Sequence, residues 1–227
     1  MKVSLSNRIN GRVLAIVCKL VSATARFNII GLENMEAIRD SGKPVLWTSW
    51  HGQSMLMACF AQILKLNPNP MVMIPDDWRG ESLYHFLNLV NLDPHPMNLE
   101  DKGFDTARKF AALVRTLKKE KGYNCLFPDG PAGRSYEPKP GIIYLAQKTG
   151  APLLPVSAYV RQAYEIKRWD AYVIPYPFSH IEVVVGKPLY LPQDVDRDSL
   201  KERVINAIHQ VTMEAKANYY AAQGAAH

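Results

Sequence analysis

The chain predicts an α/β fold: a single layered domain with a mostly parallel, mixed sheet flanked by helices, and an amphipathic helix ahead of it. Three observations carry this. Short apolar runs bounded by Gly, Pro and Asn alternate with helical patterns over most of the sequence, which is how crossover-connected parallel strands read. The 227 residues fall within the roughly 200–250 that one α/β domain commonly reaches. Apolar residues make up 48% and charged residues 21%, enough to bury a sizeable core without a disordered region.

In chain order, Ile9, Val13, Ile16, Val17, Leu20 and Thr24 recur at helical spacing. Phe27-Asn28-Ile29-Ile30 reads as a strand and 33–39 as a short helix. Pro44 to Trp50 is a buried strand by length and composition, running into His51-Gly52. Residues 54–66 form a helix that is apolar on nearly all sides, ended by Asn67-Pro68-Asn69-Pro70. A strand follows over 71–74 and a helix over 79–89. The prolines of Asp93-Pro94-His95-Pro96 allow only a loop or a strand edge. Residues 103–119 give an amphipathic helix: Phe104, Ala107, Ala111, Val114 and Leu117 point inward, and Arg108, Lys109, Arg115, Lys118 and Lys119 point outward. A strand over 124–127, a Gly/Pro-rich loop to Gly141, a helix over 142–148 and a strand over 152–158 come next. Two further strands, 169–174 and 181–185, are expected to add a mixed edge. A last helix over about 199–220 carries Leu200, Val204, Ile208 and Val211 on one face, and residues 223–227 are a frayed tail.

The net charge of +6 points to an anionic partner: acidic lipid headgroups, phosphorylated small molecules, an acidic carrier protein or nucleic acid. Nucleic acid is not expected, because no basic, aromatic-bearing strand pattern or helix-turn-helix is visible. The three cysteines are far apart and form no Cys-x-x-Cys pair, so they read as small buried hydrophobes, and no metal site is expected. Lys2, Arg8, Arg12, Lys19 and Arg26 all precede the first acidic residue, Glu33. Lys19 interrupts the apolar stretch, which falls short of the ~18–20 residues of a spanning helix. An interfacial amphipathic helix over 1–26, ahead of a domain over 27–222, fits this pattern best. A cleaved leader ending near Ala23-Thr24-Ala25 and a helix packed on its own domain are the alternatives.

Ligands of open α/β sheets sit beyond the carboxyl ends of the strands. Trp50-His51-Gly52 stands at such an end, and histidine is the side chain best suited to take a proton near neutral pH. The loop Phe127-Pro128-Asp129-Gly130-Pro131-Ala132-Gly133-Arg134 stands at another. Its glycines let backbone approach a ligand, and Arg134 has the fork geometry for phosphate or carboxylate. Asp129 either orients a histidine or caps a turn. The loop lacks the Gly-Lys-Ser/Thr of a Walker loop.

In order and spacing these segments resemble the lysophospholipid acyltransferase superfamily. His51 matches its first-motif histidine. Asp129-Gly130-Pro131 with Arg134-Ser135 matches the third motif, usually Glu-Gly-Thr-Arg-Ser. Ala151-Pro152-Leu153-Leu154-Pro155-Val156 looks like the fourth. Trp50-His51-Gly52, Pro128 to Gly133, Lys139-Pro140-Gly141, Leu145-Ala146, Trp169-Asp170 and Pro175-Tyr176-Pro177-Phe178-Ser179 are similar to a poorly characterised bacterial branch. The likeness covers roughly residues 27–190. The wider family keeps His-x-x-x-x-Asp, but Leu56 stands five residues after His51, which leaves Asp76, Asp77, Glu81 and Asp129 as candidate orienters. Asp76-Asp77-Trp78-Arg79-Gly80-Glu81 and Asp101-Lys102-Gly103 also depart from the branch pattern.

The resemblance implies transfer of a fatty acyl group from an acyl-CoA or acyl carrier protein thioester to a hydroxyl of a lipid-type acceptor, at an anionic membrane surface. It implies peripheral association with the cytoplasmic face of the inner membrane and no bound cofactor or metal. His51 and Asp129 are the implied catalytic residues, and Gly130, Arg134 and Arg79 the implied substrate- or phosphate-binding ones. Backbone amides at Asp129-Gly130 or His51-Gly52 are the expected oxyanion donors. A non-catalytic lipid-binding scaffold and a thioester hydrolase are the alternative functions, although the Gly-x-Ser-x-Gly elbow of α/β-hydrolases is absent.

Overall fold

The computed structural model describes residues 3–97, 104–130 and 133–224, with the backbone alone at 104–107. The expected inward positions Phe104 and Ala107, the segment Asp101-Lys102-Gly103, the loop residues Pro131 and Ala132, and the end of the tail lie outside what it describes. Nine strands are assigned among the described residues: β1 (Arg26–Ile30), β2 (Val45–Thr48), β3 (Met71–Ile74), β4 (Asp93–Pro96), β5 (Tyr123–Leu126), β6 (Leu153–Tyr159), β7 (Ala163–Ile166), β8 (Tyr172–Pro175) and β9 (His180–Val185). The α-helices are α1 (Leu5–Thr24), α2 (Leu32–Asp40), α3 (Ser54–Leu64), α4 (Trp78–Leu89), α5 (Phe104–Glu120), α6 (Pro140–Thr149) and α7 (Arg197–Gly224).

Seven strands form one sheet in the order β1-β9-β6-β2-β5-β3-β4. Every neighbouring pair is parallel except β6–β9, which is antiparallel. Helices cover both faces, so the central strands are apolar throughout rather than alternating, and β2 is buried at all four positions. Within β2 the two-residue period still decides the partners. Trp47 faces the layer of α1 to α4 and meets Phe60 edge-on at 5.1 Å, while Leu46 joins the core of α5, α6 and α7. Pro94 and Pro96 place β4 at the sheet edge, where missing amides cost no ladder bond.

The late strands correct the expectation of a mixed edge. The run Ile181 to Val185, β-branched except for Glu182, is buried on both faces and lies inside the sheet, between β1 and β6. The strand expected over 169–174 begins only at Tyr172 and pairs with Ala163–Ile166 in a separate two-stranded ribbon. The latter strand is short and carries outward-facing Tyr164 and Glu165, so it has no apolar run to read. Trp169 and Asp170 belong to the turn of this ribbon.

The N-terminal helix has two apolar faces. Gly11, Ala15, Cys18 and Val21 are buried against α3 and α4. Leu5, Ile9, Val13, Ile16 and Leu20 form a stripe on the other side, and Ile16 keeps 64% of its surface exposed. No helix among the described residues is long and apolar enough to cross a membrane. Both ends of α1 are tied down. The Ser4 amide and Asn7 Nδ2 donate to Glu81 Oε2 (3.0 and 2.9 Å) near the start of α4, and the Phe178 amide donates to Thr24 Oγ1 (3.1 Å).

Removing residues 1–26 therefore strips the cover from α3 and α4, and the truncated chain is expected to be insoluble. Replacing Val13 and Ile16 by Ser changes only the outer stripe, and surface changes of this kind usually cost within about 0.5 kcal/mol each. Thermal unfolding of the double variant is expected to match wild type within a few degrees. A soluble, cooperatively folding truncation contradicts this packing role.

Candidate active site

β2, β5 and β6 are neighbours and parallel, so their carboxyl ends share one rim. β2 delivers His51 there, in a short 3-10 turn over His51–Gln53. β5 runs on through Phe127 and Pro128 to Asp129. β6 feeds the β7–β8 ribbon, whose turn carries Trp169 and Asp170 back over the end of β2.

The imidazole of His51 meets Asp170: Nδ1 lies 2.7 Å from Oδ2. The Asp170 side chain has no exposed surface. Arg168 holds the same carboxylate through Nε to Oδ1 (2.5 Å) and a terminal nitrogen to Oδ2 (2.8 Å), and stacks on Tyr172 at 4.5 Å. Burial works to raise the Asp170 pKa, but hydrogen bonds from Arg168 and His51 outweigh it and hold the carboxyl below its ordinary range. An ionised carboxylate only accepts, so the ring proton of neutral His51 resides on Nδ1 and Nε2 keeps its lone pair. Trp169 stacks on the ring at 5.5 Å and Phe127 meets it edge-on at 5.9 Å. About a fifth of the side-chain surface, 20%, stays open to solvent. The site thus holds a histidine fixed in tautomer and orientation, with an apolar wall and an accessible edge.

Of the two roles open to Asp129, the structure shows the capping of backbone amides. Asp129 is buried, and its Oδ1 accepts from the backbone amide of His51 (2.9 Å) while Oδ2 accepts from the amide of Tyr136 (3.2 Å). It ties the two strand ends and the loop together through backbone amides, and the hydrogen bond to the imidazole comes from Asp170 instead. Desolvation raises the Asp129 pKa despite those two amides. The His51 amide is consequently taken, and the Gly130 amide closes a turn onto Phe127 O at 3.3 Å, so these two expected oxyanion donors are engaged by the fold. Gly130 contributes space instead: a Cβ there would lie 2.1 Å from His51 Cδ2, and one at Gly52 would lie 1.9 Å from the Asp170 carbonyl oxygen.

The other expected orienters are occupied elsewhere. Asp77 caps α4 and binds Arg79 (2.6 Å), Asp76 pairs with Lys109 (3.1 Å), and Glu81 anchors α1. Arg79, expected at the substrate, is thus held by the carboxylate two residues before it. Arg134 projects from the loop with 90% of its side chain exposed, 4.0 Å from Glu137. Ser135 Oγ donates to the Trp169 carbonyl, linking this loop to the ribbon across the histidine. No group of three or more His, Cys, Asp or Glu side chains able to hold a metal occurs among the described residues.

No family model matches the chain. Over 84 residues it is 34% identical to a protein of Rickettsia prowazekii (strain Madrid E) named only as uncharacterized. That stretch covers 37% of this chain and 38% of the relative's length, and the relative's name states no activity.

Because its folded-state pKa is depressed, Asp170 stabilises the fold above the ordinary carboxylate pKa, and that contribution is lost as pH falls through the lowered value. Asp170→Asn is therefore expected to lose stability at pH 7, with a deficit against wild type that shrinks below about pH 4. Denaturant unfolding at both pH values tests this; a deficit independent of pH contradicts it.

Proposed function

We propose that the protein is a membrane-surface acyltransferase, moving a fatty acyl group from an acyl thioester of coenzyme A or acyl carrier protein to a hydroxyl of a lipid-type acceptor. The observation that carries this is the oriented, accessible His51 backed by buried Asp170. Motif resemblance to the lysophospholipid acyltransferase superfamily supplies the reaction class, and the strand-end geometry is consistent with it.

The chemistry follows from the tautomer. His51 Nε2 takes the proton of the acceptor hydroxyl as its oxygen attacks the thioester carbonyl. The imidazolium that forms gains a charge directly against Asp170, where the carboxylate stabilises it. Collapse of the tetrahedral intermediate breaks the carbon–sulfur bond, and the leaving thiolate recovers the proton from Nε2. The products are the ester and the free thiol. Arg134, exposed beside the site, is suited to a phosphate on acceptor or carrier.

The surface of α1 suits amphiphilic substrates. Its apolar stripe is flanked by Arg8, Arg12 and Lys19, the combination that seats a helix at an anionic interface. Its tethers reach the start of α4, just after the carboxyl end of β3, and Phe178, just before β9. Both lie at the rim that carries His51, because β1 and β9 run opposite to the central strands.

Purified protein incubated with acyl-CoA or acyl carrier protein thioesters and lysophospholipids is expected to yield the diacyl product by mass spectrometry. His51→Ala is expected to abolish turnover. Asp170→Asn is expected to lower kcat with KM little changed, within the ~10²–10⁴-fold range that general-base help contributes. Wild-type turnover in His51→Ala would sink the assignment.

A further inference from the structure

A cavity of about 360 Å³ opens at the same rim, lined by Thr24, Arg26, Gln162, Phe178, His180 and Gln223. It lies where α1 ends and β1 and β9 begin. The sheet order places β9 two strands from β2, about 10 Å at roughly 4.8 Å per step. That is too far for one small acceptor group to occupy both this cavity and the His51 edge.

Its chemistry is that of a singly charged anion site. The Arg26 guanidinium meets no carboxylate among the described residues. Gln162 uses its carbonyl on the His180 amide (3.3 Å), which leaves its NH2 group as a donor, and Gln223 supplies another amide. The neighbouring Glu182 is fully buried, accepts from Asn28 Nδ2 (2.7 Å) and faces His180 Nε2 (3.3 Å), so its oxygens are engaged behind the wall. One permanent cation with two amides matches a phosphodiester monoanion.

The rim of the cavity is apolar in an unusual way. Phe178 holds φ at +63°, in the left-handed region that a bulky residue rarely adopts, and keeps 77% of its surface exposed. Its amide is tied to Thr24 at the end of α1. An exposed aromatic ring that shares the cavity with a cation, on backbone tied to Thr24 one turn after Leu20, is the arrangement of a headgroup pocket at an apolar boundary.

We infer that Arg26, Gln162 and Gln223, rimmed by Phe178, bind the phosphodiester headgroup of an anionic membrane phospholipid and so fix the His51 rim against the bilayer. This rests on the membrane-surface reading above, but not on the acyl transfer.

The test is co-sedimentation with phosphatidylcholine vesicles with and without phosphatidylglycerol. Arg26→Gln is compared with Arg12→Gln, which makes the same charge change on α1 away from the cavity. A basic residue near an anionic surface commonly contributes about fivefold in binding. Arg12→Gln is expected to lose no more than that, Arg26→Gln clearly more, and Phe178→Ser to weaken binding with no charge change. His51→Ala is expected to bind as wild type. Equal losses for the two arginine variants overturn the cavity and leave diffuse attraction. In a vesicle-free arm, glycerophosphoglycerol is titrated by calorimetry. Arg26-dependent binding there, with vesicle binding unchanged by Arg26→Gln, overturns the membrane source in favour of a soluble phosphodiester. No vesicle binding by wild type overturns the pocket and the membrane-surface reading together.

Discussion

The contact between His51 Nδ1 and the buried Asp170 carboxylate is the constraint around which the rest of the site is arranged. A carboxylate without exposed surface needs its charge met, and Arg168 and His51 together meet it. In return the carboxylate fixes the tautomer and angle of the ring. The three groups come from two segments, 119 residues apart between His51 and Asp170, so the strand order has to bring those segments together.

Three adjacent strand ends achieve this. β2 sets the histidine, β5 sets Asp129 beneath its backbone amide, and β6 launches the ribbon that returns Trp169 and Asp170 over the ring. Asp129 and Asp170 are both buried, yet their titrations move in opposite directions. Asp129 receives only neutral backbone amides and is dominated by desolvation. Asp170 receives a guanidinium and an imidazole and stays ionised. One carboxylate organises backbone; the other orients a side chain.

Much of this was legible from residue order. Crossover-connected strands announce their carboxyl ends, so His51 and the loop from Phe127 stand out as strand-end residues, and the apolar run of β2 fixes its place in the core. The histidine's partner was not legible in the same way. Asp170 lies in the turn of a ribbon whose first strand has no hydrophobic alternation, and local spacing favoured carboxylates nearer in sequence. The pair Trp169-Asp170 was visible as a motif without a role; only the three-dimensional return of the ribbon gives it one. Asp129 was legible as a site residue, but its choice of a backbone amide over an imidazole depends on loop geometry that sequence patterns do not encode. In α1, helical spacing marked Ile9, Val13, Ile16, Val17, Leu20 and Thr24; the structure places Ile9, Val13, Ile16 and Leu20 on the outside, while half-buried Val17 packs against the core. The packing face is made of Gly11, Ala15, Cys18 and Val21, and its first three members are small residues that carry little hydrophobic signal.

The tautomer of His51 is the most direct measure of the central interaction. Nitrogen-15 NMR of histidine-labelled protein, with the His51 signals identified by their loss in His51→Ala, reports which ring nitrogen carries the proton when the ring is neutral. In wild type the proton is expected on Nδ1 with Nε2 bare, and Asp170→Asn is expected to lose that preference. A neutral His51 protonated on Nε2 in the wild-type protein would contradict this expectation, because the nitrogen assigned to take the acceptor's proton would already be occupied.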